Sequence, residues 1–312
     1  MNQLRILTLA LIAACTIVAC DDDDKTYEWQ QQQQDANTNR NDASGNYMLS
    51  NLMFPKVKGG NSQVYSHSTA TYGLNYAFEW DHTLRAQRWT CFYFCPSNSV
   101  VKWSRNSWYN TEWGGDPFQL DPDVPKAEQP SVKGEFSSSY YPGGGHDSYY
   151  NRGHICASQD RMCSREVNEQ TFYMTNMMPQ VYAFNGGIWE QMEIQVRSWN
   201  KNSLRDTLFV VKGGTIDREE QILDRTRNGF IVPRYFFMAL LSKKGTDYKA
   251  LAFWVEHLNE DHSNDNLGDY VVNIDELERL TGIDFFCNLP DDIENRLEAQ
   301  EPTVIKTLWG LK

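Results

Sequence analysis

Residues 149–164 read YYNRGHICASQDRMCS, placing an arginine, a glycine and a histidine side by side. A histidine such as His154 exchanges protons near neutral pH and suits the work of a general base. Arg152, two positions before it, and Arg105, in the upstream SRNSW (104–108), carry planar forks that pair with carboxylate or phosphate oxygens. Asn176 stands in TNMMPQ (175–180), and Asn185, Glu193 and Arg197 follow in FNGGIWEQMEIQVRSW (184–199). Glu193 and Arg197 are four residues apart and share one helix face, with Asn185 at that helix's mouth. A hydrated Mg2+ needs few protein ligands, so one asparagine oxygen can hold it while a nearby glutamate accepts hydrogen bonds from its waters. Taken singly, each residue has a plainer reading. His154 is a structural histidine, Asn185 a helix cap, and Glu193–Arg197 an exposed pair of small worth. Taken together, those readings require several coincidences of spacing.

The elements around these residues are legible in outline. TYGLNYAFEW, RWTCFYF, TLFVVKGG, RYFFMALL and YKALAFWVEHL are rich in β-branched and aromatic residues and are expected as strands. TFYMTN (171–176) is expected as a further short strand, and residues 98–150 as long loops. A helix is expected over 187–200, with Ile188, Met192, Val196 and Trp199 as its apolar stripe. Another is expected over 273–282, capped by Asn273 and stopped by Gly282. There is no repeat and no second break in composition. The expected fold class is α+β: a single mixed α/β domain with a largely antiparallel central sheet.

The three motifs resemble the DNA/RNA non-specific endonucleases, the ββα-metal or His-Me finger group that includes endonuclease G. Asn151-Arg152-Gly153-His154 is similar to the family's Asp-Arg-Gly-His. Thr175-Asn176-Met177-Met178-Pro179-Gln180 matches its second motif. Asn185, Trp189, Glu193 and Arg197 match its third, and SRNSW is similar to a further arginine site. The likeness extends over about 65–300. It implies a ββα-metal site with His154, Arg152, Asn176, Glu193, Arg197 and Arg105 as catalytic residues. Asn185 becomes the metal ligand, and Mg2+ the ion, with Mn2+ as a substitute. Phosphodiester hydrolysis needs an activated water, a charge sink on the phosphate and help for the leaving oxygen, and these residues supply that set. The departure is Asn151, which keeps an acceptor oxygen but loses the family aspartate's charge.

The N-terminus adds an expectation about place. Arg5 precedes a short apolar run that ends in Ile17-Val18-Ala19-Cys20, which resembles a lipoprotein signal. Residues 1–19 are read as signal peptide, 20–46 as an acidic, polar, disordered tether, and 47–312 as the nuclease domain. Acylation at Cys20 implies an outer membrane lipoprotein on the cell surface or the periplasmic face. The chain carries a formal −12, of which residues 47–312 keep −8. That balance disfavours loose, sequence-blind attraction to nucleic acid, so a polyanion must meet a local basic cleft or a metal ion. For an exported domain, disulfides among Cys91, Cys95, Cys156, Cys163 and Cys287 are the default expectation.

The reading that results is a Mg2+-dependent endonuclease that hydrolyses DNA and RNA outside the cytoplasm. It contacts the nucleic-acid backbone and, through Cys20, the membrane; no protein partner is predicted. The alternative is a catalytically weak or inactive surface lipoprotein of the same fold that binds nucleic acid or glycan.

Overall fold

A computed structural model describes residues 36–144 and 148–312. Five strands carry nearly continuous buried runs rather than alternation: β2 (Gly73–Asp81), β3 (Ala86–Phe94), β6 (Thr207–Gly214), β9 (Tyr235–Lys244) and β10 (Asp247–Glu256). Such strands must be covered on both faces. They form the centre of a seven-stranded sheet, closed at its edges by β1 (Ser62–Thr69) and β11 (Val271–Val272), in the order β1-β2-β3-β6-β9-β10-β11. Every neighbouring pair is antiparallel.

Successive side chains alternate between two cores. Phe78, Phe92, Val210, Met238 and Phe253 face one layer, whereas Ala77, Cys91, Val211, Ala239 and Ala252 face the other. The first layer holds the strand pair β4 (Tyr150–His154) and β5 (Met177–Val181), followed by a helix at Trp189–Trp199. The second holds helices Ile274–Thr281 and Asp291–Glu298. With a short helix at Arg165–Gln170 and a last one at Pro302–Trp309, the helices are numbered α1 (165–170), α2 (189–199), α3 (274–281), α4 (291–298) and α5 (302–309). β7 (Ile222–Arg225) and β8 (Ile231–Pro233) form a separate small pair.

The expected α2 stripe is buried throughout: Ile188, Met192, Val196 and Trp199 all lie in the first core. Burying each contributes roughly 1.5–3 kcal/mol. The caps of α3 are also as expected. Asn273 accepts the Glu276 N–H at 2.8 Å, and Gly282 takes the left-handed conformation at φ 72°.

Three expectations are corrected. Residues 171–176 form turns, and the strand begins at Met177, because Asn176 uses its side chain to brace the preceding loop. Residues 36–46 are not a free tether. Asn37 donates to the Leu289 carbonyl, Thr38 to Asp291, and buried Asn41 bonds Pro55 and Val57. A polar segment can dock this way when folded carboxylates and carbonyls receive its amides. The five cysteines from Cys91 to Cys287 are unpaired, and all but Cys95 are buried, so they act as small apolar groups. Cys20 and the residues before it, on which the signal and lipid-anchor expectation rests, lie outside the described residues.

Candidate active site

β4 and β5 pair in the register Arg152↔Pro179, Gly153↔Met178 and His154↔Met177. Gly153 is required by crowding. A Cβ built there would sit 2.3 Å from Cδ and Oε1 of Gln180, a fully buried residue of the facing strand. The loop between the strands is tied down by Asn176. Its Nδ2 donates to the carbonyls of Cys156 (2.9 Å) and Thr171 (2.7 Å), and its Oδ1 accepts the Cys156 N–H (2.8 Å). With those bonds made and no exposed surface, Asn176 braces the loop and does not line the His154 cleft, where its motif led a catalytic contact to be expected.

His154 ends β4. Trp189, on the first turn of α2, donates its indole N–H to the His154 carbonyl at 3.3 Å. The imidazole packs against Phe118 and Phe172, with centroids at 5.5 and 5.0 Å. Its Nε2 is buried and has no hydrogen-bond partner among the described residues. Burial holds its pKa well below the ordinary histidine value, and the charges of Arg105, Arg152 and Lys212 push the same way. The ring is therefore neutral at pH 7 and free to accept a proton.

His154 lines an open cleft of about 150 Å3 with Arg105, Ser158, Asn185, Glu190 and Glu193. Asn185 sits in the wide turn Phe184–Ile188 that leads into α2. It caps neither that turn nor α2, and its side chain has no hydrogen-bond partner among the described residues. The plain capping role is thereby removed. An unengaged amide oxygen beside two carboxylates forms an all-oxygen donor set that fits a hydrated divalent cation.

Glu193 belongs to a buried ionic network that sequence reasoning did not anticipate. Lys212 on β6, fully buried, donates to Glu193 at 3.1 Å and to Asp160 at 3.4 Å. Arg197 pairs with Asp160 at 2.9 Å and lies 4.0 Å from Glu193. Burial pushes the Glu193 carboxyl up to about 7, against the opposing pull of Lys212. The charge of Glu193 and Asp160 in turn holds the Lys212 ammonium above its ordinary value despite burial. Alternation along VVKGG, which sends Val210 and Lys212 to the same face, was the signal that could have pointed to Lys212.

The arginines divide. Arg105 lies at the cleft, 5.5 Å from the Phe172 ring, with no ion-pair partner among the described residues. Arg152 stacks on Phe118 at 3.6 Å, pairs with Asp116 at 3.1 Å and lines a second cleft of about 310 Å3 together with Asn151. Arg197 is committed to Asp160 and does not line the His154 cleft. A single basic cleft built from all three arginines is thus not what the fold assembles. Arg161 runs under the loop, donating to the Tyr93 carbonyl and stacking on Phe92.

A ββα unit that sets a neutral histidine opposite an asparagine and a carboxylate defines a nucleic-acid hydrolase of the ββα-metal class. The model of the DNA/RNA non-specific endonuclease family matches residues 55–292, and the chain belongs to that family. It is 29% identical to a nuclease of Nostoc sp. over 209 residues, which is 64% of this chain and 70% of that protein. It is 26% identical to the mitochondrial nuclease EXOG of Xenopus laevis over 234 residues, covering 70% of this chain and 58% of the relative. The fold matches a solved structure of EndoG in its complex with EndoGI at a TM-score of 0.57. That match covers 75% of this chain and 89% of the other at 18% identity.

Proposed function

We propose that this chain is a Mg2+-dependent endonuclease that cleaves DNA and RNA with little sequence preference. The observation that carries the reading is the unpartnered, neutral Nε2 of His154 in one cleft with the unengaged side chain of Asn185. His154 Nε2 takes the proton from the attacking water. Asn185 would hold the divalent ion, and Glu193, with Glu190 on the same cleft, would accept hydrogen bonds from its waters. When bound, the ion neutralises charge on the phosphate and the leaving oxygen. Arg105 faces the phosphate. Lys212 and Arg197, themselves braced by Asp160, hold the Glu193 carboxylate in place, and burial, with the charges of Arg105, Arg152 and Lys212, keeps His154 unprotonated.

We further propose that the protein acts outside the cytoplasm as an outer membrane lipoprotein. The support is the run Ile17-Val18-Ala19-Cys20, and Cys20→Ser should release the protein from the membrane fraction. A second reading, a non-catalytic binder, draws on the −8 charge of residues 47–312 and on Asn151. Purified protein beginning at residue 36 separates the two. Plasmid and RNA should both be cut with Mg2+, and neither with chelator or with His154→Ala. Tight binding without any cleavage would favour the binder.

A further inference from the structure

On the sheet face away from His154, α3 and α4 bring acidic residues together without a cation. A carboxylate oxygen from each of Asp275, Glu278 and Glu298 lies within 4.8 Å of those of the other two. Glu298 is 8% exposed, and its Oε1 is buried with no hydrogen-bond partner among the described residues. It is also the last residue of α4, where the helix carbonyls add further negative potential. Nearby, Asn39 donates to Asp284 and Glu294 and leaves its own Oδ1 buried without a partner. Arg279, on the same helix as Glu278, is taken up by Glu276. Among the described residues, no lysine or arginine pairs with Asp275, Glu278 or Glu298.

We propose that Asp275, Glu278 and Glu298 form a second divalent-cation site, for Ca2+, that ties α3 to α4. The donors are all oxygens, with no nitrogen or sulfur, which selects a hard cation over zinc or copper. Ca–O distances of roughly 2.3–2.6 Å place opposed ligands up to about 5 Å apart, so three oxygens within 4.8 Å of one another can share one Ca2+. Mg2+, which is strictly octahedral, sheds its waters reluctantly and usually takes only one or two carboxylates, is the poorer match for three. Glu278 already accepts the Phe285 N–H at 2.7 Å, which fixes its carboxylate.

The test uses protein stripped with EDTA and titrated with CaCl2 or MgCl2 alone, with thermal unfolding and calorimetric binding as readouts. Ca2+ should raise Tm by roughly 5–10 °C at saturation, and more than Mg2+ does. Asn185→Ala should keep this shift, because Asn185 belongs to the other face. Glu298→Gln should lose the shift and be more stable than wild type in EDTA. Asp275→Asn, at an exposed position, should weaken Ca2+ binding at least tenfold and serves if Glu298→Gln does not fold. The proposal is overturned if wild type shows no Ca2+ shift up to about 10 mM, above the weakest usual calcium sites. It is equally overturned if the shift survives in both cluster variants or vanishes in Asn185→Ala. None of these readouts depends on nuclease turnover, so the cluster and the nuclease reading stand or fall separately.

Discussion

His154 combines two properties that seldom coincide: it is half-buried against aromatic rings with its Nε2 shielded, yet that nitrogen has no partner among the described residues. Leaving a buried acceptor unpaired costs about 1–3 kcal/mol, a cost consistent with a nitrogen kept for a substrate water. His154→Ala should therefore fold at least as stably as wild type while losing roughly 10²–10⁴ in turnover. Plasmid nicking rates, with unfolding midpoints measured alongside, check both halves. Because burial and three cations hold its pKa down, protonation of His154 should not limit kcat/KM until well below pH 6.5. An acid limb centred at or above 6.5 that disappears with His154 would contradict that. Asn185→Ala should abolish Mg2+-dependent cleavage with little change in Tm, since its side chain has no bond to lose. A large fall in stability would instead make Asn185 structural.

At the level of elements, β4 is held against β5 by a close approach, and α2 against β6 by charge. Gly153→Ala forces a methyl into the Gln180 side chain, which is fully buried and has little room to move. Overpacking of this kind costs about 1–3 kcal/mol. The double variant Gly153→Ala/Gln180→Ala should recover part of the loss in urea unfolding. No loss in the single variant would mean the strand pair yields easily. Lys212→Met leaves Asp160 and Glu193 buried with Arg197 as their remaining cation. Breaking a buried network from one side costs about 3–5 kcal/mol. Urea titration should show that loss, and near-wild-type stability would mean that Glu193 simply takes up a proton.

For the whole molecule, the acid response should be set in part by His257. It is fully buried after β10, where its Nδ1–H donates to the Pro233 carbonyl and its Nε2 accepts the Val181 N–H. It thereby clamps β5, and hence the strand pair that carries His154, to the small β7–β8 pair. Burial holds its pKa down to about 4. The unfolded chain, with an ordinary value near 6.5, binds a proton that the folded state refuses. Stability from this group is thus full above about 6.5 and is lost as pH falls toward 4, by about 3 kcal/mol. Gln at this position can make both hydrogen bonds without titrating. Between pH 7 and 4, wild type should lose that much more stability than His257→Gln, as measured by urea unfolding. Parallel pH profiles would place the acid sensitivity elsewhere.

The candidate site residues were readable because they lie close along the chain. Asn185, Glu193 and Arg197 are placed by one turn and one helix, and His154 follows directly from its strand motif. Local geometry converts such spacing into position, and the helix stripe and the Asn273 and Gly282 caps were legible for the same reason. What each polar side chain touches is decided by partners far away in sequence. Arg197 faces Asp160, 37 positions earlier, and so does not reach the cleft. Lys212 meets Glu193 across the gap between sheet and helix, and Arg152 finds Asp116. The segment 36–46 looks like tether because it has almost no apolar residues to bury. It is ordered by amides that reach carboxylates and carbonyls some 245 to 255 positions away, contacts that only the closed sheet and its second helical layer create. Spacing determines which groups can share an element. Only the packed fold decides which charges cancel, and therefore which are left for a substrate.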